Sequence, residues 1–180
     1  MFNKMLFTGR LLRLAAPLPE DAATFAGFTV DDEYLRLINT GPARPWPPDS
    51  FDFSKQGSPN NYYFHLRTLA EDRVIGFAAL SDIQWNNQTA DLAIGIGNPK
   101  YRGKGYGSDA LNVLLNYAFD ELNLYRVGLG VLEYNTVAIH VYERLGFVRE
   151  GARRAAVQRE GQRYDLLLYG ILRDEWLARE

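Results

Sequence analysis

The stretch "YRGKGYGSDAL", residues 101–111, has glycines at positions 103, 105 and 107, includes the basic residues Arg102 and Lys104, and then becomes a helix-forming run. Glycines at alternate positions remove the Cβ atoms that would keep an oxygen-rich group away from successive backbone N–H groups. A helix that begins there adds unsatisfied N–H groups and the positive end of its dipole. The stretch therefore predicts an anion-binding loop that joins a strand to a helix.

The spacing of this loop excludes two common nucleotide-binding motifs. A Walker-type loop needs four residues between its first glycine and a Gly-Lys-Ser/Thr sequence, which is not found here. A dinucleotide fingerprint needs a third glycine where this chain has Ser108. A nucleotide-binding protein is thereby disfavoured, although a glycine-rich connection without a ligand would still account for the loop alone.

The pattern outside the loop predicts one α+β (mixed α/β) domain over residues 1–180. After the loop, apolar residues recur with helical spacing, and before it the segments 62–69, 74–83 and 89–97 alternate as strands do. Residues 39–61 contain five of the eight prolines and little periodicity, which predicts a loop. We expect a central, mostly antiparallel twisted sheet of six to seven strands, flanked by about four helices.

Composition excludes several classes of protein. A formal net charge of −2 argues against a nucleic-acid-binding protein, which needs a strongly basic surface. The absence of cysteine excludes disulfides and thiol nucleophiles, and the two histidines, His65 and His140, lack metal-ligand spacing, so we expect no metal. No apolar run suits a signal peptide or a membrane helix, which predicts a cytoplasmic protein without membrane contact.

Two motifs carry a resemblance to a known family. Arg102 to Gly107 matches the pattern Gln/Arg-x-x-Gly-x-Gly/Ala, and "NTVAIHVYERLGF", residues 135–147, has an Asn followed seven residues later by a Tyr and then Gly-Phe. Both motifs, in this order, resemble those of the GNAT superfamily of N-acetyltransferases. The resemblance extends from about residue 11 to residue 176, and the tail is similar to the branch of ribosomal-protein N-terminal acetyltransferases and polyamine acetyltransferases.

The resemblance implies that the loop binds the pyrophosphate of acetyl-CoA. It also implies that the sheet is splayed between its fourth and fifth strands, so that the pantetheine arm lies in the opening. Residues 1–97 would then form mainly the acceptor side and residues 98–180 mainly the acetyl-CoA side. The residues that it assigns to acetyl-CoA are Ile94, Ile96, Arg102, Gly103, Lys104, Gly105, Tyr106, Gly107, Ser108 and Asn135.

The catalytic residues implied by the resemblance are Tyr142 and Asp91. Tyr142 would protonate the leaving thiolate, although it shares a helical face with Ala138, Val141 and Leu145, which core packing also explains. Asp91 would act as a base through water. Because the chain has no cysteine to form an acyl-enzyme, we expect the amine to attack the thioester directly.

The acceptor is the least determined part of the prediction. Glu33, Tyr34, Trp46 and Trp85 are the candidate acceptor residues, and Glu33 belongs to an acidic run with Asp31 and Asp32. A primary amine on a protein N-terminus or a small molecule is expected, with a polyamine acetyltransferase or a non-catalytic acyl-CoA-binding module as alternatives. The chain is expected to be a monomer or a homodimer.

Overall fold

The computed structural model describes residues 5–53 and 58–179, and in this part of the chain it has seven strands and five α-helices. The strands are β1 (Leu12–Ala15), β2 (Tyr62–Thr68), β3 (Val74–Gln84), β4 (Thr89–Ile96), β5 (Arg126–Leu132), β6 (Val148–Arg159) and β7 (Gln162–Leu172). The helices are α1 (Ala22–Phe28), α2 (Asp32–Ile38), α3 (Tyr106–Asn116), α4 (Thr136–Arg144) and α5 (Arg173–Leu177).

All seven strands form one sheet in the order β1-β2-β3-β4-β5-β7-β6. Neighbouring strands are antiparallel except for β4 and β5, which are parallel. The parallel pairing is short: Thr89 pairs with Arg126, Ala90 with Val127 and Asp91 with Gly128. Beyond Asp91 the two strands have no register partners across the gap, so the sheet opens there. The predicted fold class and the predicted splay are confirmed.

One face of the sheet carries α3 and α4, and we call it the α3 face. Its core contains Leu111, Leu114, Leu115 and Ala118, which the helical spacing in the sequence indicates as one buried stripe. After Asn116 the helix continues as a π-helical segment, Tyr117–Glu121. Side chains alternate across a strand. Ala90 and Leu92 of β4 therefore point into this core with Val127 and Leu129 of β5.

The opposite face carries α1 and α2, and we call it the α1 face. A smaller aromatic cluster packs there, with Phe25, Phe28 and Tyr34 from the two helices. Asp91, Ala93 and Gly95 alternate with the core residues of β4 and therefore point to this face. Asp91 and Ala93 are exposed, whereas Gly95 is covered by Tyr34 and Phe77.

A charged group is buried beneath the aromatic cluster on the acceptor half. Arg67 Nη2 donates to both carboxylate oxygens of Asp21 at 2.7 Å, and Nδ1 of His65 lies 2.6 Å from Asp21 Oδ2. His65 is fully buried, and its Nε2 has no hydrogen-bond partner among the described residues. Burial lowers the pKa of His65, although the Asp21 carboxylate opposes this shift.

The start of the chain is attached to α3 by a second buried carboxylate. Asp109 accepts hydrogen bonds from the backbone N–H groups of Arg10, Leu11 and Leu12 at 3.0, 2.8 and 3.2 Å. A Cβ on Gly9 would overlap this carboxylate. Among the described residues, no helix has the length and apolar character needed to span a membrane.

Candidate active site

The glycine loop is a sharp turn that exposes backbone N–H groups. Gly103 and Gly105 have φ values of +69° and +86°, a left-handed conformation that other residues rarely adopt. Gly105 is also the N-cap of α3 and supplies no side-chain cap. The first N–H groups of the helix are therefore left for an external acceptor.

Gly107 has a different reason to be glycine. It lies in the first turn of α3, its φ is not left-handed, and no atom lies within 4 Å of the position that a Cβ would occupy. The backbone would tolerate a side chain here, but the space above the helix start would be filled. The glycine loop, with the start of α3, forms a cradle for an anion. This cradle therefore combines two glycines that shape the turn with one that keeps it open.

Arg102 lies at the start of this loop, but its guanidinium points back into the protein. Its Nε donates to the carbonyl of Ile96 at 2.9 Å and its Nη2 to the carbonyl of Gly97 at 2.7 Å. Its Nη1 lies 2.8 Å from Asp31 Oδ2 at the start of α2. These contacts use three of the five N–H donors of Arg102 and direct its guanidinium toward β4 and α2, and its assignment to acetyl-CoA stays a prediction.

Asp31 completes this link between the loop and α2. Its other carboxylate oxygen caps the helix by accepting from the Tyr34 N–H at 3.0 Å. Burial acts to raise the pKa of Asp31, but the Tyr34 N–H and Arg102 outweigh it and hold the pKa below its ordinary value. The Arg102 guanidinium also lies over the Tyr34 ring, 5.2 Å from its centroid.

The opening between β4 and β5 begins after Asp91 and extends along β4 toward the glycine loop. Ile94 and Ile96 lie on β4 beyond the last residue paired with β5, and both pack against the main core. The five residue steps from Ile96 back to Asp91 span about 17 Å of strand. An extended ligand held at the loop would therefore reach Asp91 along the edge of β4.

The two predicted catalytic side chains lie on opposite faces of the sheet. Tyr142, on α4, is buried on the α3 face with its ring against Phe147, 5.6 Å between centroids. Its hydroxyl makes no hydrogen bond with any described residue, and burial raises its pKa to about 12. Asp91 is exposed on the α1 face, at the base of the opening. A group that passes through the opening would separate them.

The sequence matches a known protein family. Residues 11–148 match the family model described as "Acetyltransferase (GNAT) domain". The chain belongs to the GNAT acetyltransferase family. It is 34% identical over 149 residues to the uncharacterized N-acetyltransferase YnaD of Bacillus subtilis, covering 83% of this chain and 86% of that protein.

Two further matches are polyamine enzymes. The spermidine N(1)-acetyltransferase of Vibrio cholerae is 34% identical over 110 residues, which are 61% of this chain and 63% of that protein. A crystal structure of spermidine N-acetyltransferase from Vibrio cholerae in complex with CoA and spermine superposes with a TM-score of 0.78 at 24% identity, covering 92% of this chain and 98% of that one. The second match confirms the fold.

The remaining loop residues of this acetyltransferase lie around the helix start. Lys104 is exposed, and Tyr106 packs edge-on against Tyr101. Ser108 Oγ accepts a hydrogen bond from Arg144 Nη2 at 2.9 Å. Arg144, in the last turn of α4, is the basic residue at this site that sequence reasoning missed, because it lies 36 positions from Ser108. Its place two residues after Tyr142 in the second motif was the available signal.

Asn135 caps α4, as its residue type predicts. Its side-chain oxygen accepts from the Ala138 N–H at 3.2 Å, while its Nδ2 donates to the Leu37 carbonyl at 3.4 Å. Next to it, the Tyr134 hydroxyl donates to the Arg36 carbonyl at 2.7 Å. The loop after β5 is therefore attached to the end of α2.

The four candidate acceptor residues do not share one pocket. Tyr34 is buried, with its hydroxyl close to Gly95, whereas Glu33 is exposed at the start of α2. Trp46 is half-exposed beneath the Arg44 guanidinium, 4.1 Å from its ring centroid. Trp85 directly follows Gln84, which pairs with Thr89 at the start of β4. Thr89 lies six residues from Gly95, a distance of about 20 Å along the strand. Tyr34 and Trp85 therefore lie too far apart to line one small pocket together.

Within the described ranges, no three histidine, aspartate or glutamate side chains are grouped as metal ligands would be. Asp31, the first residue of the acidic run, is engaged by Arg102. Of the acidic run, Asp32 and Glu33 stay exposed.

Proposed function

We propose that this acetyltransferase transfers an acetyl group from acetyl-CoA directly to a primary amine, on a peptide or protein N-terminus or a small molecule, while both substrates are bound. The observation that carries the proposal is the opening between β4 and β5. The glycine loop lies at one end of it, and Tyr142 and Asp91 lie on its two faces. This arrangement suits a thioester that enters from one side and an amine that attacks from the other.

Acetyl-CoA would be held mainly by backbone groups. The N–H groups of residues 103–108 suit the pyrophosphate, and Lys104 and Arg144 add exposed positive charge beside them. The backbone of Ile94 and Ile96 would bond the pantetheine arm, and Asn135 would contact it from the start of α4. The Vibrio cholerae enzyme of this fold was crystallised with CoA, which supports CoA as the ligand.

Tyr142 would supply the proton that the departing thiolate needs. With a pKa raised to about 12 by burial, its hydroxyl keeps its proton at neutral pH. The same surroundings disfavour a charged thiolate, which raises the pKa of the thiol as well. Burial raises the pKa of the Tyr142 hydroxyl and the pKa of the thiol together, so that it does not by itself prevent proton transfer from the hydroxyl to the thiolate.

Asp91 would accept a proton from the amine, directly or through water. Its exposure on the α1 face leaves it accessible to an acceptor. An α-amine with a pKa near 8 is roughly one tenth neutral at pH 7, whereas a nitrogen with a pKa near 10.4 is neutral in only about one part in 10³. A solvated carboxylate is a weak base, and it suits the α-amine better.

A polyamine acceptor is the second candidate, because spermidine acetyltransferases are among the relatives. Cationic acceptors need carboxylates that are free to pair. Here Asp31 is already paired with Arg102, and Glu160 is paired with Arg36 at 2.7 Å. These pairs favour the α-amine. On the α1 face, near Asp91, Gly128 and Glu150 come from beyond residue 97, so we infer that the C-terminal half contributes to both substrate sites.

The test is a panel of peptides, amino acids, spermidine and aminoglycosides, with CoA release followed for each at pH 7. We expect an α-amine to give the highest kcat/KM. Faster turnover of spermidine would establish the polyamine alternative and direct attention to Asp32 and Glu33. Binding of acetyl-CoA without release of CoA for any amine would contradict the proposed transfer.

A further inference from the structure

Three charged side chains meet at the base of the opening on the α1 face: Asp91 of β4, Arg126 of β5 and Glu150 of β6. Both terminal nitrogens of Arg126 donate to the Glu150 carboxylate, one of them at 2.6 Å. Asp91 and Arg126 lie on neighbouring strands, one on each side of Gly128. In the described part of the chain, Arg126 is ion-paired with Glu150 and not with Asp91.

We propose that Glu150 is a positioning residue that holds Arg126 away from Asp91 and so keeps the Asp91 carboxylate available to the amine. The proposal rests on the role of Asp91 in the proposed function. Glu150 would thereby act on the Asp91 carboxylate through Arg126, without touching Asp91 itself.

The local backbone is shaped for this arrangement. A Cβ on Gly170 would lie 2.2 Å from Arg126 Nη1 and 2.5 Å from Glu150 Oε1, so the ion pair occupies the space above this glycine. A Cβ on Gly128 would lie 3.3 Å from Asp91 Oδ1 and 3.5 Å from Arg126 Nη2. Asp91 and Arg126 therefore approach each other over a bare backbone, with no side chain between them.

Glu150 and Asp91 compete for the Arg126 guanidinium, and Glu150 has it. A guanidinium that donates two parallel hydrogen bonds prefers a carboxylate, and Glu150 now satisfies it. Without the Glu150 charge, the nearest carboxylate across Gly128 is Asp91. Asp91 already attracts Arg126 electrostatically without pairing with it, and Glu175 of α5 does so more weakly, with its carboxylate accepting the Leu172 N–H at 2.8 Å. A paired Asp91 would be a weaker base and would no longer attract an ammonium.

The experiment compares Glu150→Gln with the double variant Arg126→Gln/Glu150→Gln. We expect Glu150→Gln to lower kcat/KM for the amine roughly 10- to 100-fold, the range of a modest loss of base catalysis. The Kd for acetyl-CoA and the Tm should change little. The double variant should recover most of the activity, because no guanidinium is left to pair with Asp91. Arg126→Gln alone should be close to the unmodified enzyme.

Asp91→Asn distinguishes an error in the proposed base from an error in the positioning role of Glu150. If Asp91→Asn keeps full activity, the base assigned in the proposed function is wrong. If Asp91→Asn is impaired but Glu150→Gln is not, only the positioning role is wrong. A double variant as impaired as Glu150→Gln would also overturn that role, because it would show that Glu150 acts by another route.

Discussion

The two ends of the opening are built in different ways. At the loop end, residues 101–108 supply consecutive backbone N–H groups, and glycine conformation does most of the shaping. At the base, the charged groups Asp91, Arg126 and Glu150 come from three strands and are separated by up to 59 positions in the chain. A site made of backbone groups can be read from one short motif. A site made of side chains on separate strands depends on the register of the sheet.

The sharpest test of this contrast is Tyr142→Phe, which removes one side-chain hydroxyl and leaves the backbone cradle intact. We expect kcat to fall by roughly 10²- to 10⁴-fold, the usual contribution of a general acid. The Kd for acetyl-CoA should stay the same. Tyr169→Phe is the matched control, because Tyr169 is also buried in the core but its hydroxyl donates to Glu143 at 2.9 Å in a structural bond. An unchanged kcat for Tyr142→Phe, with chemistry limiting turnover, would assign Tyr142 to core packing alone.

The cradle is tested by Gly107→Ala. A methyl group in the open space above α3 should weaken acetyl-CoA binding on the order of 10-fold, about 1.4 kcal/mol. The fold should be as stable as before or more so, since alanine favours a helix over glycine. Gly27→Ala in α1 is the control, because its Cβ would also meet open space. If Gly107→Ala binds acetyl-CoA normally by calorimetry, the loop is only a connection.

A smaller effect should separate the two basic residues of the loop. Arg102→Gln breaks the link to Asp31 and should raise the acceptor KM roughly 3- to 10-fold, or about 0.7–1.4 kcal/mol. Lys104→Ala should instead weaken acetyl-CoA, and more so at low salt. Steady-state kinetics with both substrates varied measure the two effects. If Arg102→Gln alters only the acetyl-CoA KM, its guanidinium serves the phosphate after all.

The smallest predicted effect concerns His65, beneath the acceptor half. Because burial lowers its pKa in the folded state, the unfolded chain binds more protons below about pH 6.5. Stability should therefore be complete above pH 6.5 and should decline as the pH falls from there toward the lowered folded pKa. Thermal melts should show that His65→Gln flattens this decline and that the exposed His140→Gln does not. Equal slopes for both variants would show that His65 is not responsible.

The sequence predicted the parts of the molecule that depend on local pattern. The glycine turn, the buried stripe of α3 and the Asn135 cap follow from residue type and spacing alone, and the structure has all three. The single sheet, expected with six to seven strands, followed from the pattern of elements, and its opening followed from the resemblance carried by two motifs. These features can be predicted without knowing which residues distant in the sequence come into contact.

The sequence did not predict where long side chains point. Arg102 sits beside three loop glycines, but its contacts with Asp31 and two carbonyls depend on the packing of α2 against the end of β4. Arg144 reaches Ser108 only because two helices pack on the same face. Trp85 and Tyr34 were grouped by chemistry, and the length of β4 keeps them apart.

Because of the opening in the sheet, hydrogen exchange of backbone amides on β4 and β5 can report the binding of acetyl-CoA. Alternate backbone amides of 92–96 and 129–132 point toward a gap that has no partner strand across it in the described fold, while the others bond to β3 or β7. Within one strand, protons of the first kind should exchange with deuterated water quickly, and those of the second kind slowly. An occupied arm site would slow the first set alone, so that exchange along β4 would report, residue by residue, how far acetyl-CoA reaches into the sheet.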